Sequence, residues 1–166
     1  MIRRLLLIGA GFALFFATAY FASVSALAPV RQEALAQPRI FAYRGWQSMG
    51  VQLNEGDIVT IRARGEWLYT PGEYHGPEGH ARFPAPSFYP LSNPTGGYER
   101  MRAVPGGVLI GRIGENGSPF LVGRGTTRRA SERGTLYLRI NDDKLTDNEG
   151  WVAAEVRVET PEAEAR

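Results

Sequence analysis

The sequence predicts an all-β fold, a small β-sandwich whose two sheets share one core, preceded by a single N-terminal transmembrane helix. Three observations predict it. An uncharged run rich in Leu, Ala, Phe and Ile covers 5–30. Later segments alternate apolar and polar residues with a period of two, and beyond the run no window carries the 3.6-residue apolar stripe of a helix.

The run at 5–30 is long enough to cross a hydrocarbon core of about 30 Å as a helix. Arg3 and Arg4 precede it and would hold the N-terminus in the cytoplasm, leaving a retained single-pass anchor with the rest of the chain exported. Pro29 lies near the exit end, where it disturbs few backbone hydrogen bonds. The competing reading is a secretory signal cleaved after Ala34-Leu35-Ala36, before Gln37, although such signals carry apolar stretches of only roughly 7 to 15 residues. Both readings place the folded part outside the cytoplasm. The organisation is then an anchor over 1–30, a polar linker over 31–37, a sandwich domain over 38–160 and a frayed acidic tail over 161–166.

Within the domain the first strand is predicted over 39–43. Over 57–65, Val59, Ile61 and Ala63 alternate with Thr60, Arg62 and Arg64, which sets one face on a core and one in water. Over 108–113 and 120–122 two strands flank Glu115-Asn116-Gly117-Ser118, where Asn-Gly predicts a tight hairpin because both residues accept positive φ. Leu136, Leu138 and Ile140 alternate with Tyr137, Arg139 and Asn141, and Val152, Ala154, Val156 and Val158 alternate with Ala153, Glu155 and Arg157. The stretch 70–107 holds seven prolines and many glycines, which leaves little room for a central strand. Its aromatics, Tyr74, Phe83, Phe88, Tyr89 and Tyr98, predict a long loop wrapped over the surface.

Composition narrows the function. There are 19 basic residues, two of them Arg3 and Arg4, against 17 acidic ones, so the exported part is formally neutral. A nucleic-acid partner, which needs clustered positive charge, is therefore not expected. The chain has no cysteine, which removes disulfides, thiolate metal sites, a thiol nucleophile and a lipidated cysteine. Trp46, Trp67 and Trp151 adjoin predicted strands and read as core or rim packing, or as stacking platforms for a ligand or partner.

Several groups of residues could carry chemistry. Between the last two predicted strands, Asn141-Asp142-Asp143-Lys144-Leu145-Thr146-Asp147-Asn148-Glu149-Gly150 is rich in oxygen donors. It reads either as a polar turn or as a loop that gathers the oxygens a hard cation such as calcium needs. His75 and His80, five apart in a Gly/Pro loop, read either as ordinary surface imidazoles or as a transition-metal pair that lacks a third ligand in the sequence. Glu66, Glu73 and Glu78 include a candidate acid/base pair of a glycoside hydrolase, which requires a set separation that sequence does not supply. No G-x-S-x-G elbow occurs, and the glycines of 106–111 lack the strand-to-helix setting of a phosphate cradle.

Three blocks in order, Asn54-Glu55-Gly56-Asp57-Ile58-Val59-Thr60-Ile61, Gly76-Pro77-Glu78-Gly79 after the aromatic strand end Trp67-Leu68-Tyr69, and the loop Asn141-Asp142 to Asn148-Glu149-Gly150, resemble the PA-I-like family of bacterial galactose-binding lectins. The resemblance covers roughly 46–158. It implies a jelly-roll-like β-sandwich with one calcium ion that binds sugar hydroxyls directly. Carried over, Asp142 matches an acidic ligand, Asn148 an amide ligand and Tyr69 a backbone-carbonyl ligand. Asp147 stands where the family has another Asn. The loop is two residues shorter, so the family's threonine carbonyl has no single match among Lys144, Leu145 and Thr146. At the positions of the acid and histidine that hydrogen-bond the sugar, this chain has His80 and Phe83, so the sugar contacts are eroded.

The resulting expectation is a non-enzymatic, lectin-like, carbohydrate-binding module on the periplasmic side of the inner membrane, binding calcium and recognising glycan or protein. The alternative is an accessory structural subunit of a membrane protein complex that reuses the fold for protein contacts, a use favoured by the tether because it raises effective concentration beside fixed partners.

Overall fold

Alternating burial runs along the strands of the computed structural model, which describes residues 38–69, 73–92 and 103–161. These residues belong to the unit spanning Gln37–Arg166. The predicted membrane helix, the linker, Tyr98 and the end of the tail lie outside the described residues. Among the described residues no helix is long and apolar enough to cross a membrane.

In chain order the strands are β1 (Arg39–Phe41), β2 (Gln47–Leu53), β3 (Ile58–Leu68), β4 (Tyr74–His75), β5 (His80–Pro84), β6 (Pro105–Gly106), β7 (Leu109–Ile113), β8 (Phe120–Leu121), β9 (Gly125–Arg129), β10 (Gly134–Ile140) and β11 (Glu149–Glu159). One sheet runs β1-β11-β3-β4, with β9 also paired to β3, and a second runs β2-β10-β7-β8. A small third sheet joins β5 to β6. The described part is all-β, and its two larger sheets form a sandwich around one core.

The core follows from the alternation. On β3, Val59, Ile61, Ala63 and Trp67 are buried, and on β11 so are Val152 and Ala154. The antiparallel register sets Ala63 opposite Ala154 and Ile61 opposite Val156, so inward residues of neighbouring strands are paired. From the second sheet, Leu136, Leu138 and Ile140 of β10, Leu109 and Ile113 of β7 and Leu53 of β2 join the same cluster. Each such Leu or Ile contributes about 1.5–3 kcal/mol through burial. The predicted segments at 57–65, 136–141 and 152–158 thus correspond to β3, β10 and β11, with β3 continuing to Leu68.

Other expectations are corrected. The first strand ends at Phe41 rather than at Tyr43, because the Gln47 side chain closes a turn there. Its Oε1 accepts from Phe41 N–H and its Nε2 donates to the Phe41 carbonyl, both at 3.0 Å. β7 and β8 do pair, Gly111 opposite Phe120, but not through a two-residue turn at Asn116-Gly117. The left-handed residue is Gly114, at φ 74°. Gly117 is required for a different reason, since a Cβ there would overlap the Ile113 carbonyl oxygen. In the proline-rich stretch, of the described aromatics only Tyr89 packs against the core. Tyr74, Phe83 and Phe88 are exposed, so among the described residues of the loop there is no general aromatic wrap.

Trp67 closes the end of the sandwich. It is fully buried, and its indole N–H donates to the Gly107 carbonyl at 3.0 Å. Trp67→Phe keeps most of the apolar area but leaves that carbonyl unpaired, so a loss of about 1–3 kcal/mol is expected, measured by urea denaturation. An unchanged denaturation midpoint would show that the bond contributes nothing.

Candidate functional site

Tyr69 follows directly on β3, and its ring lies across the backbone of Gly106 and Gly107. A Cβ on Gly106 would overlap the Tyr69 hydroxyl, and one on Gly107, at φ 69°, would come within 2.5 Å of the ring. The same backbone continues to the late loop. Gly107 N–H donates to the Asn141 carbonyl at 2.9 Å, and Asn141 N–H to the Val108 carbonyl at 2.8 Å.

Asn141 is also a clamp. Its Oδ1 accepts from Leu91 N–H at 3.0 Å, and its Nδ2 donates to the Leu91 carbonyl at 2.8 Å. That pins the segment carrying Tyr89, whose hydroxyl lies 3.1 Å from the Tyr69 hydroxyl. Burial, then the Tyr69 hydroxyl and then the nearby Asp142 carboxylate push the Tyr89 phenol far above its ordinary range. Burial and the charges of Asp142 and Asp143 also raise Tyr69.

Beside these phenols, the loop between β10 and β11 folds over two buried polar side chains, Asp142 and Asn148. Asn148 Nδ2 donates to Asp142 Oδ2 at 2.8 Å and also lies 3.4 Å from the Lys144 carbonyl and 3.5 Å from the Ala42 carbonyl. Its Oδ1 is buried without a hydrogen-bond partner. Arg139 donates to the Asp142 carbonyl at 2.6 Å and to the Ile140 carbonyl at 2.9 Å, which brings a guanidinium close to the buried carboxylate.

Of the residues matched to calcium ligands, the structure brings Asp142 and Asn148 into direct contact, while Tyr69 meets Tyr89 through its hydroxyl rather than through the carbonyl that the resemblance matches. Asp147 is turned outward, with its carboxylate 2.8 Å from Lys144 Nζ and both side chains exposed. That ion pair holds Asp147 below the usual carboxylate range. Of the three candidates for a loop carbonyl, two reach Asn148: the Lys144 carbonyl lies 3.4 Å from its Nδ2, and the Leu145 carbonyl accepts from its backbone N–H at 3.4 Å. Tyr89, Arg139 and the clamping role of Asn141 are features that sequence reasoning did not single out.

His80 and Phe83 lie on β5. His80 is buried, and both ring nitrogens are engaged: Nε2 lies 2.9 Å from Glu73 Oε2, while Nδ1 accepts from Arg82 N–H at 3.2 Å. Phe83 packs edge-on against the His80 ring, with centroids 4.4 Å apart, and is itself exposed. The His75 ring also contacts His80, tilted by 53° with centroids 4.1 Å apart. Burial, then the neighbouring His80, push its pKa down. Among the carboxylates read as an acid/base pair, Glu73 faces the histidines, Glu78 pairs with Arg124 at 2.7 Å, and Glu66 is exposed on β3, opposite Trp151.

With the geometry described, the sandwich is lectin-like in fold. A solved structure it resembles is the N-terminal domain of EclA, a PllA-like lectin, with a TM-score of 0.52 and 22% identity, covering 74% of this chain and 95% of that chain. At that identity the likeness is one of fold. No protein-family profile and no curated protein sequence matches the chain.

The partly buried, raised phenols of Tyr69 and Tyr89 set an alkaline limit on stability. Tyr69 and Tyr89 hold their protons more tightly in the folded than in the unfolded chain. Their contribution is therefore intact below about pH 10, where both states are protonated, and is lost as pH rises through the higher folded values. Urea denaturation above pH 10 is expected to show falling stability, less steep in Tyr89→Phe, whereas an identical slope in that variant would contradict the assignment.

Proposed function

We propose that the chain is a lectin-like, carbohydrate-binding module whose ligand site is the loop between β10 and β11, with a calcium ion held there by Asp142, Asn148 and the Lys144 carbonyl. The observation that carries this reading is the orphaned Asn148 Oδ1 beside a buried carboxylate. A buried amide oxygen without a partner costs about 1–3 kcal/mol, and a half-turn of the amide would point that oxygen toward Asp142. Two oxygens then face each other, an arrangement that is unfavourable alone and favourable around a hard cation.

The donor set fits calcium in kind: one carboxylate, one amide oxygen and one main-chain carbonyl, with the Tyr69 carbonyl carried over by resemblance. It is a reduced set, because Asp147 is paired with Lys144. Calcium bound there would supply coordination sites for vicinal hydroxyls of a sugar. The chain's own residues orient that site: Asn141 fixes the adjoining loop, and Tyr69 and Tyr89 wall one side. Phe83, exposed, offers an apolar face on which a sugar ring can lie. The reading is one of binding rather than catalysis, on the likeness to a lectin domain and on the engagement of Glu73 and Glu78 with other side chains.

With this goes the topology proposed from the sequence, residues 1–30 anchoring the module on the periplasmic side of a bacterial inner membrane. Released from its anchor by cleavage near Ala36, the same module would be secreted.

Calorimetry on the full chain tests the metal-dependent reading. At about one hundred times its Kd, calcium is expected to add about 2.7 kcal/mol of stability and to permit binding on a glycan array, with both effects lost in Asp142→Asn. Equal stability and equal glycan binding with calcium and with chelator would overturn the proposal.

A further inference from the structure

A second group of donors surrounds β4: Glu73 precedes the strand, His75 ends it and His80 opens β5. Glu73 Oε2 is 2.9 Å from His80 Nε2 and 3.6 Å from His75 Nε2, and the three ligand atoms all fall within 4.8 Å of one another. Around a tetrahedral ion with bonds near 2.0–2.1 Å, neighbouring donor atoms stand about 3.3 Å apart. The observed spacings bracket that value.

We infer that Glu73, His75 and His80 form a binding site for a divalent transition-metal ion of the zinc type, separate from the loop between β10 and β11. Three features support it. His75 Nε2 is buried and has no hydrogen-bond partner, although an imidazole nitrogen ordinarily finds one. Two neutral imidazoles and one carboxylate suit zinc, nickel or copper, whereas calcium prefers oxygen donors throughout. The turn that joins the two histidines is tied down by backbone hydrogen bonds: Gly79 N–H donates to the Gly76 carbonyl at 3.0 Å, and Leu109 N–H to the Pro77 carbonyl at 2.8 Å.

The exposures give the site its character. The side chains of His80 and His75 are 7% and 17% exposed, and that of Glu73 is 63% exposed. Two ligands are therefore fixed in the protein and the third faces solvent, which leaves room for water or an outside donor in the fourth position. Metal binding also has a cost within the site. With Arg82 N–H donating to Nδ1, neutral His80 carries its proton on Nε2 and donates it to Glu73. A metal on Nε2 shifts that proton to Nδ1 and displaces the Arg82 contact. The site is accordingly weaker than a closed four-ligand zinc centre.

The test is titration of the full, tag-free chain with zinc chloride after dialysis against a chelator, followed by calorimetry and by the visible absorption of cobalt(II) as a surrogate. One ion per chain is expected, not displaced by excess calcium. His75→Ala and Glu73→Gln should each weaken binding at least about tenfold, since an inner ligand costs no less than the 10–100-fold typical of its outer-shell supports. Glu73 is mostly exposed, so Glu73→Gln tests the site without threatening the fold. Absence of zinc binding, zinc binding unaffected by both substitutions, or displacement of zinc by calcium would overturn the inference.

Discussion

Bare backbone at Gly106 and Gly107 is the constraint on which the candidate-site end of the sandwich depends. The Tyr69 ring occupies the space any side chain there would fill, and Trp67 binds the Gly107 carbonyl from within the core. Through the same residue, Gly107 N–H reaches Asn141. The end of β3, the β6–β7 segment and the end of β10 are thereby joined at main-chain distance. Tyr89, clamped through Leu91 by Asn141, and Asp142, next along the chain, are positioned by that junction.

Charge at this end is finely divided. A carboxylate moved out of water without compensation is strongly unfavourable, and Asp142 has partial compensation from the Asn148 amide and the nearby Arg139 guanidinium. Those groups do part of what a cation would do. They leave the Asn148 oxygen unpaired, so hydrogen bonding does not satisfy every group in the loop. In the proposed calcium site this imbalance would favour an ion, and the neighbouring guanidinium would weaken its hold relative to a purely acidic site.

How much of this was legible in the sequence depended on what holds each element. β3, β10 and β11 are held by burial of alternate residues, and burial leaves a period in the sequence. β9, Gly-Thr-Thr-Arg-Arg, contains no large apolar residue and is held by pairing with β3, so no period marks it. β2 was not among the predicted strands; Met49 and Val51 on it are only partly buried, and a left-handed Gly50 interrupts the run. The pairing of Asp142 with Asn148 lay within one short loop and could be suspected from spacing. Tyr89, more than fifty residues from Asp142 across a proline-rich stretch, could not. Glu73 became the third member of the histidine cluster only once the fold turned its carboxylate back toward β5, and the Asp147 carboxylate is paired with the lysine three residues earlier, an i,i+3 pairing the sequence did contain.

The central claim is that the Asp142–Asn148 contact opens to hold a cation. Two crystal structures of this chain, one grown with calcium and one with chelator, test it most directly. The account predicts an ion within about 2.3–2.6 Å of Asp142, the turned Asn148 Oδ1 and the Lys144 carbonyl in the first crystal, and the direct Asn148-to-Asp142 hydrogen bond in the second. An intact hydrogen bond in both, with no ion between the two side chains, would contradict it.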